Sequence, residues 1–411
     1  MDVELRAVTD DEFEDLLRVD YAAFGSGAPD AEGVAVYRKA VDLDRTRAVF
    51  VGGRRVAASA ALSLELTLPG VTTVPAAGVT LVGVLSTQRR RGHLRRMMAG
   101  LLDDAAARNE PVAILLSSES LLYSRFGYGL ASSHTSVEIE SRHGALRPSA
   151  PDGGGRIELF EAEHAAKVLP GLLDRARRLQ PGDLRRPDAW WDAVFINLEK
   201  DRKGASQQFY AVHDSASSEA DGFATYRVKS EWQSGIHKGR VIANEVVGLT
   251  PAAEADLWRF LFSLDLTEVV EVARRPLDDP LRWMLVDPRR LRVTMVGDFL
   301  WVRMLDVAAA LSARRYQVEA TLVFEVSDDV RPETAGRYRL GGGPDGAECR
   351  RTTDEPDLAL GIEELGALYL GGVAASALAA AGRVTEVRPG ALRTADAMLA
   401  LHPAPFSRTG F

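Results

Sequence analysis

Arg89, Arg90, Arg91, Gly92, His93, Leu94 and Arg95 are the residues whose types and spacing most plainly imply chemistry. They lie inside VTLVGVLSTQRRRGHLRRMM at positions 79–98. An apolar run reads as a strand, the arginines and glycine follow, and an amphipathic helix starts behind them. A glycine at that point lets the backbone turn tightly. The amides of residues 90–95 can then converge on an anion at the positive end of a helix dipole. Arginine forks match phosphate geometry and add formal charge. The spacing fits neither GxxxxGK[ST] nor GxGxxG, which excludes Walker-type and Rossmann sites. A pyrophosphate held mostly by backbone is what remains.

The helix that must present this loop is well specified. Leu94, Met97, Met98, Leu101, Leu102, Ala105 and Ala106 recur at intervals of three and four, with Asp103, Asp104 and Arg108 opposite. One strand further on, residues 111–117 (PVAILLS) form a short apolar run of the buried-strand kind. SSESLLYSRFGYG follows, placing Tyr123 ahead of Arg125, Gly127 and Tyr128. Ser117 and Ser118 are good helix caps, so the serines and Glu119 can also be read as a plain helix start.

The order strand, Arg-x-x-Gly-x-Leu, helix, strand, Tyr-x-x-x-Gly-Tyr resembles the GNAT superfamily of acetyl-CoA-dependent N-acyltransferases. The superfamily more often has Gly or Ala where this chain has Leu94. RRRG-x-LR followed by SE-x-x-x-Y-x-RFGYG is similar to a narrower group, the enhanced intracellular survival (Eis) acetyltransferases of actinobacteria. The resemblance implies tandem GNAT folds, the second degenerate, followed by a sterol-carrier-protein-like α+β domain, an α/β (α+β) protein overall. By the same resemblance Val82, Gly83 and Val84 offer backbone groups to the pantetheine arm of acetyl-CoA. Arg90, Arg91, Gly92, His93, Leu94 and Arg95 hold the pyrophosphate, and Ser118 and Glu119 line the coenzyme. Tyr123 becomes the proton donor, and the α-carboxylate of Phe411, the last residue of SRTGF, becomes the proton acceptor. The resemblance also implies a homohexamer, a dimer of trimers. It implies an acceptor that is a cationic small molecule bearing primary amines, of the aminoglycoside or polyamine kind. A lysine N-acetyltransferase acting on peptides or proteins, and a non-catalytic acyl-CoA- or lipid-binding protein, stay open as alternatives.

Acyl transfer to an amine sets its own demands. An alkylamine with a pKa of roughly 10 is mostly ammonium at neutral pH, so it must lose a proton before it attacks. The tetrahedral oxyanion needs donors and the departing thiolate needs a proton. A tyrosine is a competent donor to that thiolate.

Composition bounds the remaining possibilities. The chain has 411 residues, which implies two or three domains. Hydrophobic content is 46% and charged content 26%, as in a soluble globular protein. A net charge of −8 disfavours a nucleic-acid partner. Cys349 is the one cysteine, which forbids an intrachain disulfide and agrees with a reducing cytoplasm. It reads as a packed, inert thiol. The histidines show no metal-ligand spacing, so no metal is expected, and His93 reads as a solvated loop residue. The acidic N-terminus is not a signal peptide. Residues 365–382 are uncharged and read as a buried helix–turn–helix, not a membrane span.

Three domains are expected, at 1–145, 155–288 and 290–411. A loop at residues 25–33 would cover the acceptor, and residues 142–156 read as a linker. RIELFEAEHAAKVLPGLLDRARRL then repeats the pattern of VELRAVTDDEFEDLLRVDYAAF. Where the second copy should carry its phosphate loop it reads VVGLTPAAEADL, with Glu254 in place of an arginine cluster. The second copy is therefore expected not to bind coenzyme A.

Overall fold

The structure, a computed structural model, describes residues 2–197 and 199–411. It divides into two compact bodies. One comprises residues up to Ser132 together with Pro181–Trp190 and Phe299–Phe411; the other comprises Ser133–Gln180 and Trp191–Asp298.

The first body opens with β1 (Val3–Arg6), α1 (Phe13–Ala23), α2 (Ala31–Ala40), β2 (Ala48–Val51), β3 (Arg54–Leu68) and β4 (Thr72–Val84). It continues with α3 (His93–Ala107), β5 (Val112–Leu116), α4 (Ser120–Tyr123) and β6 (Gly129–Leu130). β1 to β4 form an antiparallel meander, and α3 is the crossover that lets β5 join β4 in parallel. Alternation along the strands decides which face each helix covers. Ala58, Ala60, Leu62 and Leu64 of β3 share one core with Leu16 and Leu17 of α1. Ala61, Ala77 and Val79 share the other with Met98, Leu101 and Leu102 of α3. The expected amphipathic stripe of α3 is the buried one.

The sheet is completed from far along the chain. Leu300–Met304 pairs antiparallel with β5, from Leu300 opposite Leu116 to Met304 opposite Val112, and also pairs with β6. The rest of the first body is a five-stranded sheet of 346–351, 336–343, 320–327, 358–361 and 384–386, in that order. Helices 307–313, 362–368, 375–380 and 391–399 accompany it. Cys349 is buried there, and burial pushes its thiol up to about 12, in the direction that keeps it unreactive. Residues 362–368 form a buried helix as expected, but of helix Ala375–Ala380 only Ala375 is buried. Among the described residues, no helix is long and apolar enough to cross a membrane.

The second body has its own seven-stranded sheet, ordered 292–298, 133–140, 267–275, 239–248, 220–229, 209–214 and 156–160. Helices 162–178 and 251–262 pack on it through Leu169, Leu172 and Leu173 and through Leu257, Trp258 and Leu261. Thr250 caps the later helix by accepting from the Ala253 amide at 3.1 Å. Glu254 pairs with the buried Arg275. That helix start therefore carries a carboxylate in an ion pair where the first copy carries arginines.

Chain connectivity departs from the expected boundaries. Contacts divide after Ser132, not at 145, because 133–140 pairs with 267–275 and 292–298. The segment 142–156 belongs wholly to the second body: the Arg147 amide donates to Met284 O at 2.8 Å. A boundary at 290 would cut off 292–298, which is a strand of the second sheet. The loop expected at 25–33 already contains the start of α2, where Asp30 accepts from the Gly33 amide at 2.8 Å.

Pro181–Trp190 returns to the first body and fastens the C-terminal tail. It bridges to β3 at Leu66 and Leu184, and the Thr67 amide donates to Asp183 O at 2.9 Å. The fully buried Asp183 carboxylate accepts from the Arg408 amide at 2.9 Å and the Arg408 guanidinium at 2.6 Å. Trp190 Nε1 donates to Gly410 O at 2.7 Å. Each charge-assisted bond at Asp183 is worth roughly 1.5–3 kcal/mol. Asp183→Ala is expected to loosen the tail by about 3 kcal/mol. Hydrogen exchange should show faster labelling at residues 406–410 while β3 and β5 keep their protection. An unchanged tail would remove Asp183 as its clamp.

Candidate functional site

The site begins where two strands part company. β4 pairs with β5 only at Ala76, Ala77 and Gly78, opposite Val112, Ala113 and Ile114. β4 then runs on to Val84, leaving the edge that faced β5 without a strand partner. Between Ala58 and Ala60 of β3 the register slips: Thr80 faces Ala60 but Gly83 faces Ala58. Leu81 sits in the left-handed region with φ +53°, as a bulge requires. The bulge re-aims Val82–Val84 into the gap.

That gap is a cavity of about 1160 Å³. Val82, Gly83, Val84, Arg90, Gly92, His93, Leu94, Arg95, Ser118, Glu119 and Tyr123 all line it. Of the residues expected around the coenzyme, only Arg91 is absent from the wall. Arg90 and Gly92 both have positive φ, +63° and +79°. A side chain built on Gly92 would meet nothing within 4 Å, so the first turn of α3 is open to an incoming anion. No side chain caps that end, which leaves its first amides available. Arg89, also in the wall, donates to Ala23 O at 3.1 Å and so caps α1.

His93 is not the solvated loop residue that the sequence implied. It is the first residue of α3 and is buried, because the turn at Gly92 folds it under the helix. Neither ring nitrogen has a hydrogen-bond partner among the described residues, and burial lowers its pKa. It stands as a neutral polar wall.

Tyr123 ends α4, with its ring packed among Met98, Leu101 and Phe126 and edge-on to Tyr128 at 6.2 Å. Burial pushes its hydroxyl up to about 12, with smaller contributions from Asp20 and Glu119. It is therefore a phenol, not a phenolate, throughout the neutral range. Gly127, which closes this turn at φ +79°, has no room for a side chain because Arg303 lies against it.

Arg303 connects the site to the last part of the chain. It is fully buried and pairs with Asp328 at 2.5 Å. Asp328 also accepts from the amides of Val330 and Arg331 at 3.0 and 3.1 Å. The loop so fixed puts Asp329 and Val330 into the cavity wall. Nothing in the local motifs announced these two residues, which lie far downstream of the arginine loop.

Phe411 is half-buried, its ring lying against the Gly78 position of β4. It is not in the cavity wall with the coenzyme residues. Asp20, a residue the motifs did not point to, packs behind Gly83 and is not itself in the cavity wall. It precedes Ala23 and Phe24 by three and four positions on one face of α1, and both of those line the cavity. Its Cα is 3.0 Å from where a side chain on Gly83 would begin. Its exposure is 9%, and its Oδ1 has no hydrogen-bond partner among the described residues. Burial raises this carboxyl from 3.8 to about 6. Among the described residues, no group of three or more His, Cys, Asp or Glu side chains could hold a metal ion.

Comparison with known proteins covers the whole chain. Residues 4–131 and 182–304 each match the family model of a GNAT acetyltransferase domain, and residues 307–407 match that of a sterol carrier protein domain. An uncharacterized N-acetyltransferase of Streptomyces coelicolor is 39% identical, with 100% of both chains covered. The N-acetyltransferase Eis of Mycobacterium tuberculosis is 35% identical over 82% of this chain and 81% of its own. The crystal structure of Eis1 from Mycobacterium abscessus superposes with a TM-score of 0.88 at 33% identity, covering 99% of this chain and 100% of that one.

The shift at Asp20 has a consequence for stability. A carboxyl whose pKa is raised on folding stabilises the protein fully below its unfolded value of 3.8, and that contribution is lost as pH rises through about 6. At neutral pH the buried charge is a net cost. Asp20→Asn is thus expected to melt above the wild type at pH 7.5, and the two curves should converge below pH 4. Thermal unfolding across that range checks it, and equal melting temperatures at pH 7.5 would contradict it.

Proposed function

The chain belongs to the Eis-like GNAT N-acetyltransferases, with two GNAT domains and a sterol-carrier-like domain, and from that premise we propose an acceptor and a mechanism. It transfers the acetyl group of acetyl-CoA to a primary amine of a cationic small molecule by direct attack on the thioester. The observation that carries this reading is the single cavity wall that unites the arginine loop, the free β4 edge and Tyr123.

Each set of residues has a task that its geometry supports. The first amides of α3, with Arg90 and Arg95, hold the pyrophosphate. The edge of Val82–Val84 receives the amide groups of the pantetheine arm, as a further strand would. Ser118 and Glu119 flank the coenzyme on the β5 side. Acetyl-CoA supplies the activated acyl group. The amine nitrogen bonds to the carbonyl carbon, the carbon–sulfur bond breaks, and Tyr123 protonates the departing sulfur. A buried phenol suits that task, because it stays protonated until a thiolate forms next to it. Before that attack the α-carboxylate of Phe411 takes a proton from the acceptor ammonium, which frees the nitrogen lone pair. Support for this role is the fastening of the tail by Asp183 and Trp190 to the β3–β4 side of the site. Assembly as a homohexamer belongs to the same reading and rests on the family.

Thiol release from acetyl-CoA in the presence of polyamines, aminoglycosides or lysine peptides tests the reading and sorts the acceptor. No release with any amine would overturn it. Tyr123→Phe is expected to lower kcat by about 10²–10⁴-fold, the usual contribution of a general acid. Calorimetry should meanwhile give wild-type acetyl-CoA affinity at one site per chain. Unaltered turnover on a substrate limited by chemistry would take Tyr123 out of the mechanism.

The role given to Phe411 belongs to its main chain. Phe411→Ala should therefore retain part of the activity, whereas deleting Phe411 or appending a C-terminal tag should abolish most of it. Full activity of a tagged protein would rule the carboxylate out as the base.

A further inference from the structure

Asp20 is a charged group in a place that normally excludes one. Carboxylates are rarely buried without a partner, because desolvation is expensive and unreturned. The helix that carries it does not need it: Leu16, Leu17 and Val19 supply the core contacts of α1. Its Oδ1 has no donor among the described residues. Its charge adds to the upward shift of Tyr123 of α4, after burial, and of Tyr37 of α2, after burial and Tyr21. The cause of the shift at Asp20 itself is burial.

Those neighbours define a direction. Tyr123 and Gly83 mark the end of the cavity where the thioester would lie, and Asp20 is beside Gly83 on the α1 side. Tyr37 stands edge-on to Trp190 at 5.6 Å, and Trp190 holds Gly410. The orphaned carboxyl is therefore surrounded by the same elements that lead to the C-terminal tail. What is missing from the cluster is a donor with positive charge.

We propose that the Asp20 carboxylate is the acceptor-side anchor of the site: it binds the ammonium of an alkylamine next to Gly83 and Tyr123, and so selects cationic primary amines over neutral ones. This deepens the acetyltransferase reading and rests on it. An arriving ammonium supplies the donors that Oδ1 lacks and offsets the desolvation that folding imposes. It also draws the carboxyl back to its ionised form, so amine binding and Asp20 ionisation reinforce each other. A neutral aromatic amine gains nothing from either effect.

The test compares wild type, Asp20→Asn and Asp20→Glu by thiol release with acetyl-CoA, using spermidine and n-butylamine as cationic acceptors and aniline as a neutral one. In Asp20→Asn the KM for spermidine and butylamine should rise roughly 10- to 100-fold, as loss of a charge-assisted bond gives. The KM for acetyl-CoA and the kinetics with aniline should stay within about 2-fold, on the same scale of contact energies. Asp20→Glu should recover part of the amine affinity. In the wild type the amine KM should fall as pH rises through about 6, and this dependence should be flat in Asp20→Asn. An unchanged amine KM, or equal losses with aniline and butylamine, overturns the proposal while leaving the acetyltransferase reading intact. Should the wild type release no thiol with any amine, that reading falls, and calorimetry with spermidine alone still decides Asp20. Binding by the wild type but not by Asp20→Asn supports the anchor; equal binding, or none, removes it.

Discussion

The parting of β4 from β5 after Gly78 is the constraint on which the site depends. Two parallel strands that stayed paired would satisfy each other's amides and carbonyls and leave a closed sheet. Here only Ala76–Gly78 pair across the gap. The bulge at Leu81 turns the rest of β4 into an unpartnered edge that faces a cavity. Free edges are a liability in most sheets, since they invite another chain to pair. In this fold the liability is confined to a cleft whose far end carries positive charge. An extended, amide-bearing arm with a pyrophosphate at one end matches both features at once.

Burial raises both Tyr123 in the cavity wall and Asp20 behind Gly83, with opposite chemical results. Desolvation pushes Tyr123 up to about 12, further from neutral pH, so it stays a protonated phenol. The same effect brings Asp20 up to about 6, close to neutral pH, so its charge becomes responsive to what binds nearby. The energetic signs differ as well. A buried neutral phenol costs little, whereas a carboxyl that ionises within the fold subtracts from stability at neutral pH.

Two buried carboxylates do the opposite kind of work. Asp183 and Asp328 are each saturated with donors, and each ties a distant stretch of chain to the first GNAT fold. Asp183 fixes the tail, and Asp328 with Arg303 fixes the loop that carries Asp329 and Val330. The sterol-carrier-like part is thus a structural component of the cavity wall.

The local motifs were legible because their physics is local. A strand, a glycine at positive φ, a basic turn and an amphipathic helix are set by neighbours a few residues apart, so most of the residues that line the cavity fall within 79–128. The tandem architecture was legible too, since each copy repeats the same strand-and-helix opening. The boundaries were not. Strands 133–140 and 300–304 carry the same alternating pattern whichever sheet they join, and pairing partners are chosen by long-range register, which no window of sequence contains. For the same reason the motifs gave no signal for Asp20, and His93 read as solvated. Burial is a property of what packs on top. Only the packing of β3, β4 and α2 against α1 turned an ordinary aspartate into a buried carboxyl whose Oδ1 has no partner among the described residues.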